Sequence, residues 1–169
     1  MRFSKKENLS SPMNDTIVNC LKSDFDQILL EIADFWGSNR TLHLHHPMFL
    51  YEFGNSAFVI RKDGKVIAYL FGFLAQTGPT AYVHLIGVRR SHQRKSLGSR
   101  LYEHFIQFAR SHSCKEVKAI TTPANTQSIL FHKAIGMQLA EGSSEKGIPV
   151  VKDYGGPGKD AILFCRKIL

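Results

Sequence analysis

The sequence predicts one mixed α/β domain, in which helices cover a single β-sheet. Segments rich in β-branched and aromatic residues alternate with segments whose apolar residues recur at helical spacing. The 169 residues, 43% hydrophobic and 21% charged, suit one soluble domain and are too few for two ordinary ones. We place this domain at residues 15–169, after a polar leader of residues 1–14 that we expect to be flexible.

The first half of the domain is predicted to hold a strand, two helices and a three-stranded meander. Apolar residues recur at helical spacing up to Gly37, which ends the first helix. Pro47 suits the start of a second, short helix. Asp63-Gly64 between two β-type segments is a strong hairpin signal. These predicted elements are a strand at 16–21, a helix at 25–36, a helix from Pro47, and strands at 57–61, 65–74 and 80–88.

The second half is predicted to alternate helices and strands around one long loop. The stretch 141–159 holds five glycines and two prolines, so we expect a loop there, and long loops in compact domains are often functional. The other elements are a helix from Leu97, a strand at 116–121, a helix at 126–135, and strands at 137–140 and 161–168. The complete order, β-α-α-β-β-β-α-β-α-β-β, gives about seven strands and roughly four helices.

Charge and cysteine content narrow the function classes. The net charge of +8 indicates an anionic partner, such as nucleic acid, a membrane surface or a phosphorylated small molecule, although general solubility explains it equally well. Three widely spaced cysteines without a CxxC motif argue against structural disulfides and zinc sites. Because neither a membrane span nor a signal peptide is readable, we expect a cytoplasmic protein.

The clearest chemical signal follows the third meander strand. A basic loop, Arg89–Ser99, connects that strand to an amphipathic helix. Free N–H groups at a helix start and the positive end of the helix dipole suit a phosphate. Arg94 and Lys95 add positive charge, and small residues around Gly98 let a phosphate approach the backbone. The sequence therefore predicts a phosphate site at this loop.

Two motifs resemble those of the GNAT superfamily of N-acetyltransferases. The first, Gln/Arg-x-x-Gly-x-Gly/Ala, is matched by Gln93-Arg94-Lys95-Ser96-Leu97-Gly98, with Ser96 where a glycine is usual. The second, Asn-x-x-Ser/Ala-x-x-Phe-Tyr-x-x-x-Gly-Phe, is matched from Asn125 to Met137, with His132 in place of tyrosine and Met137 in place of phenylalanine. Either motif alone is weak evidence, but both occur in the family's order, and the resemblance spans about residues 16–169.

The resemblance implies an acetyl-coenzyme A-dependent N-acetyltransferase that acts on a primary amine of a small molecule or peptide by direct attack in a ternary complex. It implies that backbone amides of the basic loop hold the pyrophosphate and that a neighbouring strand holds the pantetheine arm. Gly87 is then a candidate bulge that opens this strand. The implied coenzyme-binding residues are Ile86, Val88, Gln93, Arg94, Lys95, Ser96, Leu97, Gly98, Ser99 and Asn125.

Two histidines are candidates for acid–base chemistry. The resemblance puts His84 where related enzymes often carry a glutamate base, and His132 where a tyrosine protonates the departing thiolate. Deprotonation of the amine suits a base with a pKa near neutrality. Two histidines converging on one site would oppose double protonation, which favours one neutral and one charged ring. Each also admits a structural role as a histidine packed in the fold.

Two other functions stay open on the sequence alone: a coenzyme A-binding sensor or regulatory module without turnover, and a basic nucleic-acid-binding domain. Against the second, no aromatic residues are interleaved with the basic ones, so we expect neither a nucleic-acid nor a membrane partner. The resemblance also allows a homodimer. The segments 42–54, 75–78 and 153–156 are expected to build the acceptor site, with Tyr154 as a candidate contact.

Three clustered histidines, His43, His45 and His46, suggest metal ligands at first sight. No cysteine or carboxylate follows at ligand spacing, and alternation along a strand would put His46 on the opposite face. We therefore expect no metal site there and interpret these residues as a wall of the acceptor pocket.

Overall fold

The computed structural model describes residues 16–145 and 147–169, so the leader expected at 1–14 lies outside the described residues. In chain order the strands are β1 (Ile17–Asn19), β2 (Ala57–Lys62), β3 (Lys65–Leu74), β4 (Thr80–Val88), β5 (Glu116–Thr121), β6 (Gln138–Leu139), β7 (Ser143–Glu145), β8 (Ile148–Val150) and β9 (Ile162–Lys167). The helices are α1 (Lys22–Leu30), α2 (Ile32–Trp36), α3 (Met48–Tyr51), α4 (Leu97–Ser111) and α5 (Thr126–Ala134). Short 3-10 helices lie at Leu42–Leu44, Gly54–Ser56 and Arg90–His92.

A seven-stranded mixed sheet organises the molecule, in the order β1-β2-β3-β4-β5-β9-β6. Strands β1 to β4 form an antiparallel meander, β5 lies parallel to β4, and β9 is antiparallel to both β5 and β6. Asp63 and Gly64 form the predicted hairpin turn, and both have positive φ, at 50° and 76°. The predicted mixed α/β fold class is confirmed.

Two predicted elements differ from the structure. The helix expected over 25–36 is divided into α1 and α2 at Glu31, because the Asp34 N–H bonds the Glu31 carbonyl three residues back and tightens the turn. The loop expected over 141–159 contains a hairpin, β7–β8, in a small separate sheet. Its short strands carry serine and proline and show no apolar alternation, so periodicity did not reveal them.

The sheet separates two apolar layers. One layer lies between the sheet and helices α4 and α5, with Leu101, Phe105 and Ile129 in its core. The other lies between the sheet and helices α1 to α3, with Phe25 and Phe49 in its core. Each large side chain buried in this way contributes about 1.5–3 kcal/mol. No helix among the described residues is long and apolar enough to cross a membrane.

Candidate active site

Strand β4, which was predicted to carry the catalytic His84, contains a β-bulge that opens the sheet. Phe71 pairs with Leu85 and Gly72 pairs with Val83, so His84 is the additional residue of the bulge. The parallel pairing of β4 with β5 covers Thr80–Val83 and ends at this bulge. Among the described residues, the remainder of β4 therefore has no strand partner on its β5 side.

The bulge was expected at Gly87, and this prediction was wrong. Gly87 pairs regularly with Tyr69 on β3. A Cβ atom at this position would lie only 2.6 Å from the Tyr69 ring, so the glycine is needed for close packing. The opening of the strand comes from the additional residue, His84, and not from glycine flexibility.

The free edge of β4 presents backbone groups where the pantetheine arm was predicted to bind. The Arg89 N–H donates to the Ile67 carbonyl of β3 at 2.8 Å. Because hydrogen-bonding direction alternates along an antiparallel strand, the peptide groups of Ile86 and Val88 point away from β3, toward the free edge. The Gln93 side-chain amide approaches the Val88 carbonyl at 3.4 Å. An extended amide chain could therefore pair with this edge.

The basic loop begins α4 with two residues in the left-handed region. Arg94 and Ser96 have φ values of 60° and 59°, and Ser96 is the N-cap residue of α4. Backbone N–H groups in such loops converge on a concavity that binds anions, and the first N–H groups of the helix lack intrahelical partners. Arg94 and Lys95 are exposed, and within the described part of the chain neither forms an ion pair. The loop thus combines free N–H groups with available positive charge.

Arg89, the first residue of this loop, has a structural role. Arg89 donates to Glu31 at 2.5 Å and to Asp34 at 2.6 Å, and its guanidinium lies 4.8 Å from the centre of the Phe35 ring. The Arg89 hydrogen bond holds the pKa of Glu31 below its usual value. These contacts join α1 and α2 to the end of β4 and leave the charge of Arg89 neutralised.

Two residues of the predicted coenzyme-binding loop have buried side-chain positions. Leu97 lies in the core, and a Cβ atom at Gly98 would lie 3.2 Å from the ring of Phe131 and 3.7 Å from Val88. Gly98 therefore allows α4 to begin close to α5 and β4. At both positions only the backbone N–H is left for a phosphate.

Ser96→Gly is expected to stabilise the protein by about 1 kcal/mol, because glycine adopts positive φ without the steric cost that serine carries. Denaturant unfolding measures this gain. Ser96→Ala, which keeps the unfavourable φ, is the control and should show none. Affinity for acetyl-coenzyme A should stay equal or increase slightly, and a loss by calorimetry would reveal a hydroxyl contact of Ser96.

His84 is half-buried and held in one orientation. Its ring stacks on Phe49 with centroids 4.6 Å apart and planes 14° apart. Its Nε2 lies 3.3 Å from the Leu44 carbonyl oxygen, which only accepts, so Nε2–H donates and Nδ1 keeps its lone pair. Burial lowers the pKa of His84, so the ring is neutral near pH 7 and can accept a proton.

His132 lies in the other layer and has both ring nitrogens engaged. Its side chain is 3% exposed and stacks on Phe164 at 4.6 Å. Nδ1–H donates to the Ser128 carbonyl at 2.7 Å, so Nε2 accepts from the Tyr102 hydroxyl at 2.8 Å. Burial lowers the pKa of His132, which favours the neutral ring. In this arrangement the ring has no N–H directed at a substrate.

The two histidines were expected to converge on one site, and in the structure their rings pack in different apolar layers. His84 contacts Phe49 in the layer under α1 to α3, whereas His132 contacts Phe164 and Tyr102 in the layer under α4 and α5. The role of His132 as general acid stays a prediction that conflicts with these contacts. Asn125, the predicted coenzyme contact, caps α5 by accepting from the Ser128 N–H at 3.1 Å.

The three clustered histidines lie around a 3-10 helix, so the alternation of a strand does not apply to them. His43 and His46 are exposed, and His45 is buried. His45 Nδ1–H donates to the Thr41 carbonyl, and Nε2 accepts from the Tyr69 hydroxyl at 2.7 Å. His45 thus has a structural role. No group of three potential metal ligands occurs in the regions described, 16–145 and 147–169.

A pocket of about 440 Å³ lies at the Thr80–Tyr82 end of β4. It combines aromatic residues from the meander with a cation from β5, and its lining residues are Phe73, Ala75, Thr77, Thr80, Tyr82, Lys118 and Tyr154. The ring centroid of Tyr82, which lines the pocket, lies 6.4 Å from that of His84. Of the segments expected to form the acceptor site, 75–78 and 153–156 contribute to this pocket.

Phe73, Tyr82 and Lys118 were not among the predicted site residues. Tyr82 lies two positions before His84, and this spacing was the one available signal. Lys118 reaches the pocket because it pairs with Tyr82 across β4 and β5, a register that only the fold defines.

Comparison with known proteins identifies a family for this chain. The sequence model of the acetyltransferase (GNAT) family matches residues 25–137, more than half of the chain. Among proteins of curated function, none shows significant sequence similarity to this chain.

Solved structures share the fold at low sequence identity. An N-acetyltransferase from Staphylococcus aureus Mu50 superposes with a TM-score of 0.66 at 18% identity, over 91% of this chain and 98% of the other. The ribosomal-protein-alanine N-acetyltransferase from Brucella melitensis gives 0.65 at 15% identity, over 90% and 99%. An aminoglycoside 6'-N-acetyltransferase complexed with coenzyme A gives 0.66 at 12% identity, over 91% and 97%. These likenesses show the fold, and the family's sequence model, which covers 25–137, confirms the predicted enzyme class: the chain belongs to the acetyltransferase (GNAT) family.

Proposed function

We propose that this enzyme transfers the acetyl group of acetyl-coenzyme A to a primary amine of a small molecule or peptide by direct attack in a ternary complex. The observation that carries the proposal is the arrangement along β4. A basic loop with free N–H groups follows the strand, a free backbone edge occupies its second half, and a neutral histidine lies at the bulge. The neighbour complexed with coenzyme A supports the choice of donor.

The residues of the loop and the strand edge fit the parts of the donor. The N–H groups at the start of α4, with Arg94 and Lys95, match the charge of a pyrophosphate. The outward peptide groups of Ile86 and Val88 match the amides of a pantetheine arm, which would lie along β4 as an added strand. When bound, acetyl-coenzyme A supplies the thioester carbonyl that the amine attacks and the thiolate that leaves.

His84 serves as the general base in this proposal. Its Nδ1 accepts the proton that the amine loses as the new C–N bond forms. The C–S bond then breaks, the thiolate takes a proton from water, and His84 returns its proton to solvent. The Leu44 carbonyl and the Phe49 ring keep Nδ1 available by fixing the ring. No protein group is assigned as the acid, because the ring nitrogens of His132 are engaged.

Ser99→Asp tests the phosphate-binding role of the loop and should weaken acetyl-coenzyme A binding about tenfold or more. Ser99 is exposed in the first turn of α4. A carboxylate there is favourable for the helix dipole but repels a pyrophosphate, so affinity falls while stability holds. Calorimetry and thermal unfolding measure the two quantities. Ser99→Asn is the neutral control of similar size, and equal affinity of the two variants would contradict the assignment.

Thiol release with a panel of amines separates the enzyme from a coenzyme A-binding sensor. The proposal expects release that depends on the amine and stops when either substrate is omitted. Tight acetyl-coenzyme A binding without release for any amine would favour the sensor.

A further inference from the structure

We propose that the pocket at the Thr80–Tyr82 end of β4 binds the acceptor, and that Lys118 selects an amine carrying a carboxylate on the far side of a flat apolar group. This inference rests on the proposed acetyl transfer and adds the chemical class of the acceptor. It is carried by the position of the pocket, by its aromatic lining and by the charge of Lys118, the one cationic residue described in the lining.

The pocket lies at the opposite end of β4 from the phosphate loop. The loop follows Val88, whereas Thr80 and Tyr82 line the pocket and His84 lies between the two. Tyr82 and Lys118 are register partners on adjacent parallel strands, so their side chains share the face of the sheet that carries His84. A donor that enters along the free edge and an acceptor in the pocket would therefore meet at the bulge.

The lining suits a flat apolar group. The rings of Phe73 and Tyr82 lie 5.1 Å apart and are tilted by 31°, and Tyr154, 45% exposed, lines the same pocket. Burial raises the pKa of Tyr82, so its hydroxyl stays neutral and adds no charge. A volume of about 440 Å³ is within the range of small-molecule sites.

Lys118 gives the pocket its charge preference. It is the one residue with a formal charge among those described as lining the pocket. Its Nζ lies 3.3 Å from the Glu116 carboxylate, and both side chains are partly exposed. Ion pairs that solvent reaches contribute little, about 0–1 kcal/mol, so a carboxylate on a ligand can replace Glu116 as the partner. A polycationic acceptor would instead place a second positive charge beside Lys118.

Two matched probes test this inference by calorimetry on the protein saturated with coenzyme A. 4-(Aminomethyl)benzoate carries the amine, the flat ring and the carboxylate, and 4-(aminomethyl)benzamide differs only in lacking the negative charge. We expect the benzoate to bind about fivefold more tightly than the benzamide, the upper range for an exposed ion pair. Lys118→Met, which keeps the aliphatic stem, should abolish the difference. Glu116→Gln, which removes the competing carboxylate, should increase it.

Three results would overturn the inference: neither probe binds, both bind equally, or Lys118→Met keeps the preference for the benzoate. None of them bears on the proposed acetyl transfer, which depends on the Ser99→Asp comparison and on amine-dependent thiol release. Conversely, an unaltered affinity of Ser99→Asp for acetyl-coenzyme A would contradict the phosphate loop and leave the probe preference to be measured on its own.

Discussion

His84→Phe is expected to lower turnover about 10²-fold and to leave the affinity for acetyl-coenzyme A within about twofold. Phenylalanine keeps the stacking on Phe49 and the shape of the bulge, but it has no nitrogen to accept the proton of the amine. Steady-state rates at saturating acetyl-coenzyme A and calorimetry measure the two effects. His84→Ala, which also loses the stacking, separates the contribution of packing from that of the base.

The pH dependence of turnover identifies the role of His84 independently. Burial lowers the pKa of His84 below its ordinary value of 6.5, and the base works only when deprotonated. Turnover of the unmodified enzyme should therefore fall on the acid side, below pH 6.5, with a limb that His84→Phe lacks. The deficit of His84→Phe should shrink at high pH, where the free amine needs no base. An equal deficit at every pH would assign His84 a structural role.

The positions of the two central strands β4 and β5 could be predicted because the signal is local. The strands expected at 80–88 and 116–121 have these bounds in the structure, and buried positions alternate along both. The basic loop before Leu97 was likewise found from consecutive residues. Local sequence patterns of this kind predict elements and helix starts without knowledge of their neighbours.

The features that depend on pairing could not be predicted in the same way. The bulge falls at His84 because of how β4 pairs with Phe71 and Gly72, and nothing near Gly87 shows this in the sequence. Lys118 enters the pocket through its register with Tyr82. Sequence motifs identified candidate site residues, but which of them lie near one another depends on strand pairing in the fold.

The roles of histidines on both faces of the sheet also could not be predicted from the sequence. His45 accepts from Tyr69, 24 positions away, and His132 accepts from Tyr102, 30 positions away. In each pair the tyrosine hydroxyl is buried in the core and needs an acceptor. The sequence shows the histidines, whereas their tyrosine partners come from distant elements. A histidine at a motif position is therefore not by itself evidence of proton transfer.

His132→Phe is expected to destabilise the protein by about 2–3 kcal/mol, because the Tyr102 hydroxyl would stay buried without its acceptor. Tyr102→Phe should lower the free energy of unfolding by less. The loss in the double variant should be smaller than the sum of the two single losses, by about 1 kcal/mol or more, because both single variants remove the same hydrogen bond. Denaturant unfolding of the four proteins measures this coupling. If the losses of the two single variants simply added in the double variant, the hydrogen bond between Tyr102 and His132 would be contradicted.

The same variants decide whether His132 is also the acid that the family resemblance implies. An acid role requires His132→Phe to lose turnover about 10²-fold and to lose the alkaline limb of the pH profile, and His132→Tyr to move that limb to higher pH. The structure gives a different expectation, because Nδ1–H is already donated to Ser128 and Nε2 already accepts from Tyr102. Measured where every variant is fully folded, His132→Phe should keep its turnover and the alkaline limb of the unmodified enzyme. Loss of both would show that the ring leaves Tyr102 and turns toward the thioester during catalysis.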